Sequence, residues 1–286
     1  MTRRADRVAV RTRGLVHIYR REGNDVAALS GVDLDVLPGE FIGLLGPSGA
    51  GKSTLLNLLA GFFRPSAGRI FVDDVELSNA TEAELDGLRR GVVSLMLQGA
   101  ARNLMPFLNP LENVRFAQSA ARSDGVVMPE PTEILASVRL EDVATRPLGD
   151  LSPARLQRLA IAVAISNGPG LLLADEPTSQ LDHVSRDGVL QTLSDINRVT
   201  GTTIILVTHD PEVADFLPRT VTIRDGRIGG EGRSGEEYAV VTADGSLVLP
   251  EHARLDLPPG TLVKFHLDDG RYVLLVEEHE ESGGRP

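Results

Sequence analysis

Gly46-Pro47-Ser48-Gly49-Ala50-Gly51-Lys52-Ser53-Thr54 decides how this chain is read. The stretch fits G-x-x-x-x-G-K-[ST] and lies between a short apolar run, Phe41 to Leu45, and a segment of helical periodicity, Lys52 to Ala60. That strand–loop–helix context is what a phosphate-binding loop needs. Glycines let the backbone curl until its N–H groups converge on phosphate oxygens. The helix that follows turns its positive N-terminal end toward the same anion. Lys52 reaches the outer phosphates as a point charge, and the Ser53 hydroxyl is an oxygen ligand for Mg2+. Of the 29 basic residues only Lys52 and Lys264 are lysines. A compact ammonium fits a phosphate loop where arginine's wide planar head does not, so Lys52 has a chemical reason. Lys264 has none and reads as an exposed strand residue.

Outward from the loop, strand-length apolar runs alternate with helical patterns. Leu171 to Ala174 and Thr203 to Val207 read as buried strands, and Val184 to Arg198 reads as a helix. This βαβ rhythm predicts an α/β domain with a mainly parallel central sheet. The segment from about 102 to 168 is mostly helical and reads as an inserted helical subdomain. Leu171-Leu172-Leu173-Ala174-Asp175-Glu176 ends an apolar strand in two carboxylates. Asp175 is placed for the metal shell. Glu176, one residue on, can orient or deprotonate an attacking water. With the phosphate loop, the pair makes nucleotide hydrolysis the leading reaction, with Mg2+ as the expected metal.

Composition removes other classes. The 286 residues suffice for a sizeable core, and the absence of cysteine excludes disulfides and thiolate chemistry. No apolar run approaches the roughly 18 residues of a membrane-spanning helix. The arginine-rich start has no apolar stretch of a secretory signal. The formal net charge of -11 disfavours phosphate-backbone binding, so no nucleic-acid partner is expected.

Adding His209 after the strand Thr203–Val207 gives an ordered set of motifs that resembles the ATP-binding subunit of an ABC transporter, over roughly residues 8–229. The resemblance implies a P-loop NTPase (RecA-like) core, with ATP as the nucleotide. It matches Gln98 to the Q-loop glutamine, a Mg2+ contact that couples the site to a membrane subunit. It matches Ser179-Gln180-Leu181-Asp182 to the D-loop, and His209 to the switch histidine at the γ-phosphate. Tyr19 falls where such proteins stack an aromatic ring on adenine, though a plain edge-strand tyrosine explains it as well. Asn103-Leu104-Met105-Pro106 and Leu111-Glu112-Asn113-Val114 are similar to the lipoprotein-release and macrolide-exporter group, although Pro110-Leu111-Glu112-Asn113 also suits any helix start.

One motif departs from the family. The signature, usually L-S-G-G-Q, is Leu151-Ser152-Pro153-Ala154-Arg155. In the family it caps the ATP held by a second cassette. Ser152 is a good helix N-cap and Pro153 suits the first helical position. Pro153 has no N–H to donate, and Ala154 adds a methyl group where the backbone must come close. Arg155 brings a positive charge that either compensates or reflects drift. The expectation is a complete site on this chain and weaker capping of the partner's ATP.

The glycine-rich stretch 230–235 reads as a linker closing a cassette of residues 1–229, and residues 236–286 read as a small all-β module. Asp244-Gly245 and Asp269-Gly270 are hairpin turn signals. The pattern is similar to the swapped-hairpin AbrB and MazE family, which implies a dimerisation module; a small regulatory β-domain of another kind is the alternative. Eleven acidic and four basic residues in 236–286 oppose a DNA-binding face. The whole reading is an ATP-hydrolysing subunit paired with a second cassette, in a homo- or heterodimer. It would power a separate transmembrane permease, an exporter by its group, from the cytoplasmic face of the membrane. The alternative is a soluble ABC ATPase or a nucleotide-sensing regulator with no permease.

Overall fold

The apolar run that leads into the phosphate loop forms the middle strand of a seven-stranded sheet. A computed structural model describes residues 9–276 apart from 22–23, 124–126, 234–235, 242–244, 250 and 260. The described chain begins with two long antiparallel strands, β1 (Val10–Arg21) and β2 (Asn24–Val36). Next come β3 (Phe41–Leu45), α1 (Lys52–Leu59), β4 (Ala67–Val72), β5 (Val75–Glu76) and α2 (Glu82–Gly91). β6 (Val93–Met96) feeds a helical lobe of α3 (Pro110–Ser123), α4 (Pro131–Ser137) and α5 (Pro153–Ile165). β7 (Leu171–Asp175), α6 (His183–Thr200), β8 (Thr203–Val207) and α7 (Pro211–Phe216) return to the sheet. β9 (Arg219–Arg224), β10 (Arg227–Arg233) and β11 (Glu236–Ala239) close it. Last come α8 (Glu251–Asp256) and the hairpin β12 (Val263–Asp268) and β13 (Arg271–Val276).

Strand order in the large sheet is β11-β10-β9-β3-β8-β7-β6, parallel from β9 to β6. A parallel strand is covered on both faces, and the sequence shows it. All five residues of β8 are buried, and so are the first four of both β3 and β7. Two cores result. One packs α1, through Leu55, Leu56 and Leu59, with the antiparallel sheet β2-β1-β4-β5. The other packs Leu159 and Ile161 of α5 and Leu190 and Leu193 of α6 against Leu172 and Ile204. Helix ends follow local chemistry. Thr81 and Glu84 form a capping box at α2, and α6 stops at Gly201, which has φ 73°.

Two expectations about the end of the chain are corrected. The supposed linker 230–235 is, as far as it is described, mostly strand β10, paired with β9 on one side and β11 on the other. Its glycines serve close packing rather than freedom: a Cβ on Gly232 would lie 2.4 Å from Thr220 Oγ1. The first compact unit accordingly runs to Val248, and the second begins at Leu249. Nor is the end all-β, because α8 precedes its hairpin. Of the two turn signals, Asp244 lies outside the described residues. Asp269 and Gly270, at φ 42° and 78°, make the β12–β13 turn. Leu247, read as part of a strand, makes an isolated bridge to Val241.

Candidate functional site

The parallel order brings the sequence motifs to one edge. β3, β8, β7 and β6 are neighbours, and their C-terminal ends carry the phosphate loop, His209, Asp175-Glu176 and Gln98 respectively. Open α/β sheets bind ligands at that edge.

The phosphate loop is tightly held. Gly46 has φ 139°, and a Cβ there would lie 2.1 Å from the Ile223 carbonyl oxygen, so only glycine fits. α1 opens on Gly51 with no side-chain cap, which leaves its first-turn N–H groups for an anion. Lys52 is buried, and its Nζ donates to the Gly46 carbonyl at 2.6 Å and the Pro47 carbonyl at 2.8 Å. Burial pulls the Lys52 pKa down; the carboxylates of Glu176 and Asp175 pull the other way. An incoming phosphate would replace neutral carbonyl dipoles with full negative charge around that ammonium.

Glu176 carries a left-handed backbone, φ 49°, which costs a non-glycine residue about 1–2 kcal/mol. Neighbouring bonds hold it. Its N–H donates to Val207 O at 3.0 Å, and its carbonyl accepts from Ser179 N at 3.2 Å and Ser179 Oγ at 3.0 Å. The side chain, nine-tenths buried, meets His209: Nδ1 lies 2.6 Å from Oε1. Asp175, Ser53 and Gln98 offer hard oxygen donors of the kind Mg2+ prefers. Among the described residues no group of three His, Cys, Asp or Glu side chains could hold a metal alone.

Gln98 is exposed and lines a depression of about 370 Å³ with Gly99, Ala101, Arg102, Ser179 and Gln180, so the Q-loop and D-loop stretches meet. Asp182 caps α6, accepting from Ser185 N at 2.8 Å and Ser185 Oγ at 3.0 Å. The Ser185 backbone N–H above all holds its carboxyl below the usual range. Tyr19 stands beside the loop: its Oη is 3.1 Å from Thr54 Oγ1, and its ring meets His17 and Phe63 edge-on. Ser152 caps α5 by accepting from Arg155 N at 3.4 Å, with Pro153 opening the helix. The Arg155 guanidinium is already engaged, 2.8 Å from Asp142. Ala154 follows Pro153 in the same first turn.

Some residues have supporting roles that the sequence reading did not give them. Asn103 brackets Gln98: its Oδ1 accepts from Leu97 N, and its Nδ2 donates to the Leu97 and Gly99 carbonyls. Asn113, buried, braces the turn at Met105 and Leu108 in the same way. Arg186 joins α6 to the segment after His209. For Asn103 and Asn113 the signal was the two family-like stretches that contain them; for Arg186 it was only a polar side chain a few residues from a motif.

Comparison with known proteins agrees with this geometry. A family model described as "ABC transporter" matches residues 29–179, from before the phosphate loop to beyond Glu176. The chain is 37% identical over 217 residues to the lipoprotein-releasing system ATP-binding protein LolD 2 of Caulobacter vibrioides, covering 76% of this chain and 94% of that protein. It is 37% identical to the macrolide export ATP-binding/permease protein MacB of Syntrophobacter fumaroxidans, covering 83% of this chain but 33% of that larger protein. Among solved structures, a dimeric post-hydrolysis state of the ATP-binding cassette MJ0796 bound to ADP and Pi superposes with a TM-score of 0.69 at 32% identity, covering 78% of this chain and 98% of that one. A family model spanning the phosphate loop and the carboxylate pair, together with close identity over nearly the whole of an ATP-binding relative, means that this chain belongs to the ABC transporter family and is an ATPase cassette of it.

Proposed function

We propose that the chain is the ATP-hydrolysing subunit that powers a separate transmembrane permease, an exporter of the lipoprotein-release or macrolide-export kind. The carrying observation is the pattern of coverage. The chain matches nearly all of an ATP-binding protein but only a third of a fused ATP-binding/permease protein. Among the described residues no helix is long and apolar enough to cross a membrane. In this reading the membrane part is a separate chain.

In this reading the first-turn N–H groups of α1 and Lys52 hold the phosphates. Tyr19 flanks the base. Ser53, Asp175 and Gln98 would hold Mg2+, which when bound offsets phosphate charge. Glu176 takes the proton of a water whose oxygen attacks the γ-phosphorus, as the bond to the bridging oxygen breaks. His209 can link Glu176, at Nδ1, to a γ-phosphate oxygen, at Nε2. Asp182 and Ser152, with Ala154 and Arg155, face a second cassette. Pro153 supplies no N–H there, and Arg155 is drawn toward Asp142, so capping of the partner's ATP is weak.

The C-terminal hairpin is proposed as a contact between two copies. Val263, Phe265 and Leu267 pair with Val276, Leu274 and Tyr272, so one face is wholly apolar, and most of it is exposed. A lone hairpin is marginal in water and gains by covering such a face. Within the hairpin strands and turn, Lys264 and Arg271 balance Asp268 and Asp269.

Purification of the tagged full chain from detergent-solubilised membranes tests the main reading. A co-purifying multispanning protein that raises ATP turnover is expected. Recovery of an active ATPase wholly without such a protein would leave the permease-free alternative.

A further inference from the structure

The first turn of α6 and the loop after β8 are tied together by a cluster that the motifs do not include. Arg186 is only 10% exposed in its side chain, an unusual setting for an arginine at the start of a helix. Its backbone N–H donates to Asp182 O at 2.8 Å, which locks it to the D-loop carboxylate's own residue. Its guanidinium faces three carboxylates. Nε lies 3.2 Å from Asp187 Oδ1, and Nη1 lies 3.2 Å from Asp210 Oδ2 and 2.5 Å from Glu212 Oε2. His183 adds a further contact, Nδ1 at 3.1 Å from Glu212 Oε2.

Asp210 is the residue after His209. Its other oxygen accepts from Glu212 N at 3.0 Å, and its N–H donates to Thr208 Oγ1 at 3.0 Å. Thr208, fully buried, donates its own N–H to Leu44 O on β3. The backbone on both sides of His209 is therefore fixed, on one side to the sheet and on the other, through Asp210, to Arg186. The exposed side chain of His209 is anchored by Glu176, so where its backbone stands decides whether Nδ1 reaches Oε1.

We infer that Arg186 is a positioning residue for hydrolysis: it holds the segment Asp210–Glu212 against the first turn of α6 and thereby sets His209 at Glu176. A fork-shaped guanidinium suits this task because it engages carboxylates from two elements in fixed directions. The link also makes the placement of His209 depend on the helix that Asp182 begins. The inference rests on the roles proposed above for His209 and Glu176.

The test is a double-mutant cycle on the full chain, reading ATP turnover and its KM, with thermal unfolding measured alongside. Arg186→Met should lower kcat about tenfold and leave the KM for ATP within about twofold. In a His209→Ala background the same change should cost little more, because the group it positions is gone. Arg186→Lys should recover part of the loss. Unchanged kcat in Arg186→Met, or the same fold-loss with and without His209, would overturn the inference. If His209→Ala itself leaves turnover intact, the role of His209 fails first, which is a separate result. Should Arg186→Met not fold, Asp210→Asn weakens the same link while leaving Arg186 paired to Glu212 and Asp187. The same cycle on that variant then decides: loss confined to the intact His209 background supports the inference, and an equal or absent loss overturns it.

Discussion

His209 Nδ1 stands 2.6 Å from Glu176 Oε1, although 33 residues separate them in the chain. The contact joins the ends of two adjacent parallel strands, β7 and β8, and it engages the proposed water-activating carboxylate. Glu176→Gln removes the negative charge that a proton needs and keeps the shape. Turnover should fall by about 10²-fold or more, with ATP still bound. Single-turnover hydrolysis and nucleotide retention on a filter check this, and undiminished turnover would remove Glu176 from its role.

Lys52 makes two bonds to loop carbonyls that a phosphate must compete with. Lys52→Met leaves an apolar stem of similar length in a buried place and removes the charge. Stability should change by less than about 1 kcal/mol, while ATP affinity falls at least about tenfold. Thermal unfolding with and without ATP reads both effects. ATP should raise the midpoint of the wild type and leave that of the variant where it was.

The altered signature makes a prediction in the opposite direction. Changing Pro153 and Ala154 to Gly and Arg155 to Gln restores an N–H at the helix start and frees Asp142 from its ion pair. Turnover of a homodimer should rise several-fold, and ATP-driven dimerisation of a Glu176→Gln background should tighten. An unchanged rate would count against weak capping.

Away from the site, Arg219 bridges Glu40 at 3.0 Å and Glu231 at 2.8 Å, tying β9 to the start of β3 and to β10. Burial alone would push the Glu231 carboxyl up, but hydrogen bonds from Arg219 and Arg233 outweigh it and hold it below the ordinary 4.5. A carboxyl lowered by folding stabilises the protein above its unfolded pKa, and that stability is lost as pH falls through the folded value. Glu231→Gln should cost about 1 kcal/mol at pH 7. The gap to the wild type should close below about pH 4.5. Denaturant unfolding across this range checks it; a gap independent of pH would exclude the ion pair as its cause.

Much of the site was legible because its chemistry is local. The phosphate loop, the carboxylates at a strand end and the serine at a helix start each need neighbours only a few residues away. Spacing alone could announce them, and β3, β7 and β8 lie where their apolar runs placed them. The edges of the chain were harder. Glycines in 230–235 looked like a flexible linker, yet Gly232 is small because Thr220 lies against it, a fact held by a strand twelve residues away.

By itself, then, the sequence pointed to the reaction: Gly46–Thr54 carries the phosphate-loop pattern around Lys52, and Asp175 and Glu176 end one apolar strand in the same chain. Tertiary structure alone decided which residues work together. Parallel pairing set β7 beside β8 and so His209 against Glu176, and helix α6 brought Arg186 to Asp210 and Glu212. The physical reason is range. Backbone conformation and capping are settled within a turn or two of chain, whereas a hydrogen bond needs its two atoms about 3 Å apart, and only the packed sheet and helix bring distant parts of the chain that close.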